Sequence, residues 1–165
     1  MIVLLAALLA QAGDVNDPET ERASFKVAAG FEVNLFASEL DGVVKPIQMR
    51  WDERGRLWIT CSPSYPQIGP GEQADDRIVV VSDSNGDGKA DQTSTFVRGL
   101  TMPLGLALGR GGALVADGSE LVLLRDTDGD GKADARRVIL KGFYTGDSHQ
   151  SINNFTWGPG GELLF

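Results

Sequence analysis

Two short segments carry the side chains most capable of chemistry. Asp83-Ser84-Asn85-Gly86-Asp87-Gly88-Lys89-Ala90-Asp91 and Asp126-Thr127-Asp128-Gly129-Asp130-Gly131-Lys132-Ala133-Asp134 both fit D-x-[DN]-x-D-G-x-x-D. Oxygen-bearing side chains at alternate positions, with glycines between them, can wrap one cation. Ca²⁺ takes six to eight hard oxygen ligands in adaptable geometry, and glycine supplies the positive-φ turns the wrap needs. The expected ligands in the first loop are Asp83, Asn85, Asp87, the Lys89 carbonyl and Asp91. In the second they are Asp126, Asp128, Asp130, the Lys132 carbonyl and Asp134. A helix–loop–helix sensor places a bidentate Glu at loop position twelve. Here that position holds Ser94 and Arg137. Carboxylates crowded into one turn repel each other without a cation, so two structural calcium ions are expected.

The one histidine, His149, lies in the polar stretch Gly146-Asp147-Ser148-His149-Gln150-Ser151. Taken by itself it is either a surface residue or a general base, because imidazole titrates near neutrality. The one cysteine, Cys61, follows the apolar run Leu57-Trp58-Ile59 and reads as a small buried hydrophobe. No internal disulfide is possible, and no Cys-x-x-Cys-His haem-attachment motif occurs.

The elements that must position these residues recur. Pro46–Trp51 leads through a Gly turn to Gly55–Ile59, Pro103–Leu108 leads to Gly112–Ala116, and Asn154–Trp157 leads to Gly161–Phe165. Each aspartate loop sits between two further apolar runs: Arg77–Val81 and Thr95–Val97 in one case, Glu120–Leu124 and Arg137–Leu140 in the other. Asp83 and Asp126 stand 43 residues apart, the period of a four-stranded propeller blade. Ser62 to Asp76 and Tyr144 to Ser151 read as insertions at blade connections. The expected fold is therefore all-β: about two and a half blades of an incomplete propeller, whose closure takes roughly four to eight.

Composition agrees. The chain has 165 residues, 42% of them apolar, with 21 glycines, which suits short strands and many turns. A net charge of −8 excludes a nucleic-acid partner, since phosphate binding needs clustered Lys and Arg. Seven of the 23 acidic residues fall in the two loops, so the acidity points to bound cations. Met1 to Ala12 is almost wholly apolar, is too short to span a bilayer, and ends in Ala10-Gln11-Ala12. It reads as a secretory signal, with an apolar first strand or helix as the alternative. Residues 13–24 read as a disordered linker, and 25–165 as the blades, opening with edge strands at Phe25–Val27 and Phe31–Phe36. Trp51, Trp58 and Trp157 are expected to pack between blades.

These residues carry a resemblance. The aspartate loops resemble the calcium-binding hairpin turns of integrin-type propellers. Lys45 to Thr60 and Leu104-Gly105-Leu106-Ala107 resemble the opening blades of soluble quinoprotein glucose dehydrogenases and sorbosone-dehydrogenase-like propellers. In those enzymes a His-Gln-Ser triplet, as in His149-Gln150-Ser151, precedes an apolar strand and a Gly-Pro turn, and its histidine is the catalytic base. The whole of Phe25 to Phe165 is similar to a family of large secreted dehydrogenases, described as membrane-bound, from planctomycetes and verrucomicrobia. The resemblance implies an oxidoreductase outside the cytoplasm (periplasmic, secreted or at the cell surface), oxidising a sugar or another alcohol with pyrroloquinoline quinone. It implies His149 as base and cofactor neighbour, with Asp147 or Gln150 orienting it, a cytochrome c as electron acceptor, and peripheral or anchored membrane association. This chain has Ser148 where the glucose enzymes have Asp immediately before the histidine. The basic residues that clamp the quinone in that family lie in later blades. A non-catalytic calcium-stabilised propeller that binds glycans or proteins, or a purely structural cell-surface domain, is the alternative.

Overall fold

The computed structural model describes residues 17–147 and 151–165, and the chain divides into two units, Met1–Leu35 and Phe36–Phe165. In the first unit, α1 spans Pro18–Ser24. The Thr20 amide donates to the Asp17 carboxylate at 2.8 Å, Pro18 opens the first turn, and Arg22 closes the last. Side-chain capping, the fixed φ of proline and charges matched to the helix dipole favour this short helix. It replaces the disordered linker read over residues 13–24 as far as the described residues run. The edge strands expected at Phe25–Val27 and Phe31–Phe36 do not form. Alternating side chains make a strand only where another strand satisfies the backbone, and no such partner lies beside them among the described residues.

The second unit is all-β. Its first sheet contains β1 (Pro46–Trp51), β2 (Leu57–Cys61), β3 (Asp76–Ser82) and β4 (Gln92–Leu100). Its second contains β5 (Leu106–Gly109), β6 (Gly112–Asp117), β7 (Glu120–Arg125) and β8 (Ala135–Lys141). Both are antiparallel with strands in chain order, and neither closes on itself. A hairpin of β9 (Thr156–Trp157) and β10 (Leu163–Leu164) follows. The 43-residue repeat extends to the registers. Val79 pairs with Thr95 just after a bulge in the first sheet, and Val122 pairs with Val138 just after a bulge in the second.

The layers pack face to face. Trp58, Ile78, Val80, Phe96 and Leu100 of the first sheet meet Leu106, Val115, Val122 and Leu124 of the second in one core. The far side of the second sheet, with Leu114, Leu121 and Leu123, takes Phe155 and Leu163 from the hairpin region. The far side of the first is covered by Phe36, Ala37 and Val43. Burying each such side chain contributes about 1.5–3 kcal/mol. Central strands buried on both faces explain why β2, β3, β6 and β7 read as continuous apolar runs. Phe155 is fully buried against Gly105, where a Cβ would come within 2.7 Å of its ring.

The leading strands of the layers also meet. The Leu106 amide donates to Gln48 Oε1 at 3.3 Å, and Arg50 Nη2 donates to the Phe155 carbonyl at 2.5 Å. β1 thus touches both the start of β5 and the residue before β9. Of the three tryptophans, Trp58 is in the core, edge-on to Phe96 with centroids 4.6 Å apart. Trp51 packs edge-on to Phe36 yet stays 57% exposed. Trp157 lies against Gly109 and donates to the Leu108 carbonyl at 2.8 Å, and remains 37% exposed. Cys61 is fully buried, and burial pushes its thiol pKa up. A thiol-reactive label should leave Cys61 unmodified in the native protein and modify it in urea, as mass spectrometry would record.

Candidate metal loops and a cleft at the opposite end of the strands

Both aspartate loops are strand-to-strand turns, joining β3 to β4 and β7 to β8. Strands rather than helices flank them, as the sequence requires. Each leading aspartate folds its loop by collecting amides. Asp83 accepts from Gly86 N at 2.6 Å and Gly88 N at 2.8 Å, and Asp126 accepts from Gly129 N at 2.7 Å and Gly131 N at 2.9 Å. All four glycines have φ between 79° and 86°, where a side chain would be strained. The Gly88 N–H holds the Asp83 carboxyl below its ordinary pKa range, and the Gly131 N–H does the same for Asp126. Both are therefore anionic at neutral pH.

In the second loop, ligand atoms of Asp126, Asp128 and Asp130 all lie within 4.8 Å of one another. That donor set, hard and anionic, fits Ca²⁺. In the first loop Asn85 Oδ1 accepts from Asp87 N at 2.9 Å, and Asp87 accepts from Lys89 N at 2.9 Å. The loop-closing aspartates serve as clasps. Asp91 accepts from the Ser84 amide and hydroxyl at 3.0 and 2.7 Å, and Asp134 from those of Thr127 at 3.0 and 2.6 Å. Asp134 stands outside the three-carboxylate group.

The alanine shared by the two loops has a role the sequence does not announce. The Ala133 amide donates to the Phe96 carbonyl of the first sheet at 2.7 Å, and its methyl packs against the core between the sheets. The Ala90 amide donates to the Phe36 carbonyl at 2.8 Å and packs on the outer side of the first sheet. The second loop is thereby pinned to the sheet before it, and the first to the segment that covers the outer side of its own sheet.

The second loop also borders a cleft of about 310 Å³ against the β1–β2 turn, where Asp52 is the organiser. Asp52 accepts from Arg54 N and Arg56 N, both at 2.9 Å, from Arg56 Nε at 2.8 Å and from Trp58 Nε1 at 3.0 Å. Burial alone would raise its pKa, but the Trp58, Arg56 and Arg54 donors outweigh it and bring the value down. A lowered folded-state pKa stabilises the fold above the unfolded value of about 3.9, and the effect fades as pH falls through the folded value. The stability gap between the parent and Asp52→Asn should be constant above about pH 5 and should shrink below about pH 4. Urea titrations across pH would measure it, and a gap that widens in acid would refute the assignment.

A larger cleft, of about 520 Å³, lies at the other end of the second sheet. Glu120 opens β7 at the cleft and Arg125 ends it at the second aspartate loop, so roughly 20 Å of strand separates the two. Its lining includes Thr101, Met102, Leu104, Asp117, Glu120, Arg136, Asp147 and Ser151. Arg136 Nη2 donates to Asp117 at 2.9 Å and to Glu120 at 2.7 Å, and these two carboxylates raise its pKa. Asp147, two residues before the His-Gln-Ser motif, and Ser151, its last residue, both line this cleft. His149 and Gln150 lie outside the described residues.

Two further groups escape sequence reading. Asp76, fully buried, accepts from Ser62 Oγ at 2.8 Å, Ser64 N at 3.0 Å and Met102 N at 2.7 Å, tying the first insertion to the link between the sheets. Arg136 and Glu120, 16 residues apart, meet only because β7 pairs with β8. No local spacing marks either.

The fold and its sites define an all-β protein of stacked antiparallel sheets with two acidic hairpin loops. The chain belongs to the family described as a domain of unknown function, DUF7133, whose profile matches residues 17–165. No curated protein and no solved structure matches it.

Proposed function

We propose that the chain forms successive blades of a calcium-stabilised β-propeller that works outside the cytoplasm as part of an alcohol- or sugar-oxidising dehydrogenase. Support for the propeller comes from the meeting of leading strands, with β1 touching both Leu106 and Phe155. Sheets stacked in chain order around shared first strands are what a radial array requires. Asp83, Asn85, Asp87 and Asp91, and Asp126, Asp128, Asp130 and Asp134, with the Lys89 and Lys132 carbonyls, would hold the calcium ions. Their distance from the cleft suits a structural role.

The catalytic reading rests on one observation: Asp147 and Ser151 line a ligand-sized cleft. His149, between them in sequence, would take the proton of a substrate hydroxyl as general base, with Asp147 or Gln150 orienting it. Quinone does not fit the residues described here. Pyrroloquinoline quinone is a tricarboxylate, whereas the cleft sets one guanidinium among three carboxylates. The redox cofactor would need a clamp of basic residues from outside the described set. Among the described residues no helix is long and apolar enough to cross a membrane. Peripheral or anchored membrane association and a cytochrome c acceptor belong to the same reading.

The test is dye-linked alcohol oxidation by the full-length protein reconstituted with quinone and Ca²⁺. His149→Ala should lower turnover by about two to four orders of magnitude, the range for loss of a general base. Unimpaired turnover by that variant would refute the base assignment. The misfit of the cleft with quinone favours a second reading, a calcium-stabilised module that binds glycans or proteins without redox chemistry. Absence of oxidation with every alcohol, alongside retained ligand binding, would establish that reading.

A further inference from the structure

We infer that the 520 Å³ cleft is a charge filter that selects an amino sugar over neutral and acidic sugars. The inference rests on the cleft being the ligand site of the proposed function, and it holds whether that site oxidises its ligand or only binds it.

The cleft has the mixed chemistry a pyranose needs. Met102 and Leu104 supply apolar surface for the C–H face of the ring. Glu120 and Arg136 stand side by side, joined at 2.7 Å, so an acceptor and a donor lie next to each other. Arg136 keeps N–H groups on Nε and Nη1 beyond the Nη2 that donates to Asp117 and Glu120, and each carboxylate keeps further lone pairs. A vicinal diol can donate to Glu120 through one hydroxyl and accept from Arg136 through the next. Small-molecule sites commonly combine apolar walls with a few such polar groups, at volumes of this order.

Charge then decides among sugars. Among the described residues, Asp117, Glu120 and Asp147 line the cleft and Arg136 is the one basic group in its lining. Arg136 carries one positive charge against the two carboxylates it bonds, Asp117 and Glu120, so this described cluster is negative overall. The Asp117 side chain is 12% exposed and that of Glu120 is 27% exposed, so water screens their field only in part. An ammonium at the ring gains from this field, and a ring carboxylate meets like charge, the repulsive element on which discrimination depends.

The experiment is calorimetric titration of the full-length protein, at low ionic strength, with methyl glucosaminide, methyl glucoside and methyl glucuronide. Methyl glycosides block reaction at the anomeric carbon, so binding is read apart from oxidation. The glucosaminide should bind roughly tenfold tighter than the glucoside, with the glucuronide weakest, as expected for one charge pair in a partly screened site. Glu120→Gln should reduce that advantage to about threefold while changing glucoside binding less. Equal affinities, a glucuronide that binds as tightly as the glucosaminide, or no binding by any of the three would overturn the inference. The wild-type ranking needs no variant to fold. If the ranking holds and dye-linked oxidation is absent, the dehydrogenase reading fails and this inference stands. If oxidation proceeds without the ranking, the reverse is true.

Discussion

Chelation should strip away much of the protein's stability. In excess EGTA the melting temperature should fall by roughly 10 °C or more relative to millimolar calcium. A ligand present at a thousand times its dissociation constant stabilises the native state by about 4 kcal/mol per site, and two loops share the second unit. For a unit of this size each kcal/mol moves the midpoint by about 2–8 °C. The geometry says why the loss would spread beyond the loops. Asp126, Asp128 and Asp130 converge with no cation between them unless one binds, so removing it restores their mutual repulsion. The same loop carries Ala133, which holds the Phe96 carbonyl of the neighbouring sheet. Loosening the loop therefore frees a seam of the core between the sheets. Circular dichroism melts in calcium, in EGTA and after calcium is restored would measure the effect. Asp126→Asn/Asp128→Asn should reproduce about half of it, since the first loop remains. A melt unchanged by EGTA would remove calcium from the account.

Asp76→Ala should be the most damaging single substitution in the first sheet, costing about 4 kcal/mol of unfolding free energy. The carboxylate is fully buried and takes three donors. Truncation leaves the buried Ser62 Oγ and the half-buried Ser64 and Met102 amides without it; an orphaned buried donor costs about 1–3 kcal/mol, and one that water reaches costs less. Two of the donors belong to the first insertion and the third, Met102 N, to the link before β5, so their loss unties those two stretches together. Asp76→Asn keeps one acceptor oxygen but turns an amide toward a donor, and about half the loss is expected. Urea denaturation would read both. An Asp76→Ala midpoint within about 1 kcal/mol of the parent would show that water satisfies those groups instead.

Strand positions were legible because their cause is local. Arg77–Val81 lies within β3, Glu120–Leu124 within β7, and Pro46–Trp51 coincides with β1. Apolar runs bounded by Gly turns announce buried strands wherever both faces are covered. The aspartate loops were legible for the same reason: the carboxylate-to-amide hydrogen bonds that fold them span at most seven residues, as from Ser84 to Asp91. The opening segment was misread at both levels. Asp17-Pro18 caps a helix where a linker was expected, and Phe31-Glu32-Val33 alternates without a neighbouring strand to pair with.

The amino-acid sequence alone determined the repeat, the strands, the turns and the acidic hairpins, because spacing, glycine and patterning act over a few residues. Only the tertiary structure decided that Ala133 locks its loop to the sheet before it and that Ala90 locks its loop to the covering segment at Phe36. It alone brought Asp117, Glu120 and Arg136 together beside Asp147, at the far end of the strand from the second aspartate loop. Those contacts join residues from different strands and connections, and their pairing depends on sheet register and on how one sheet stacks on the next. No short stretch of chain encodes either.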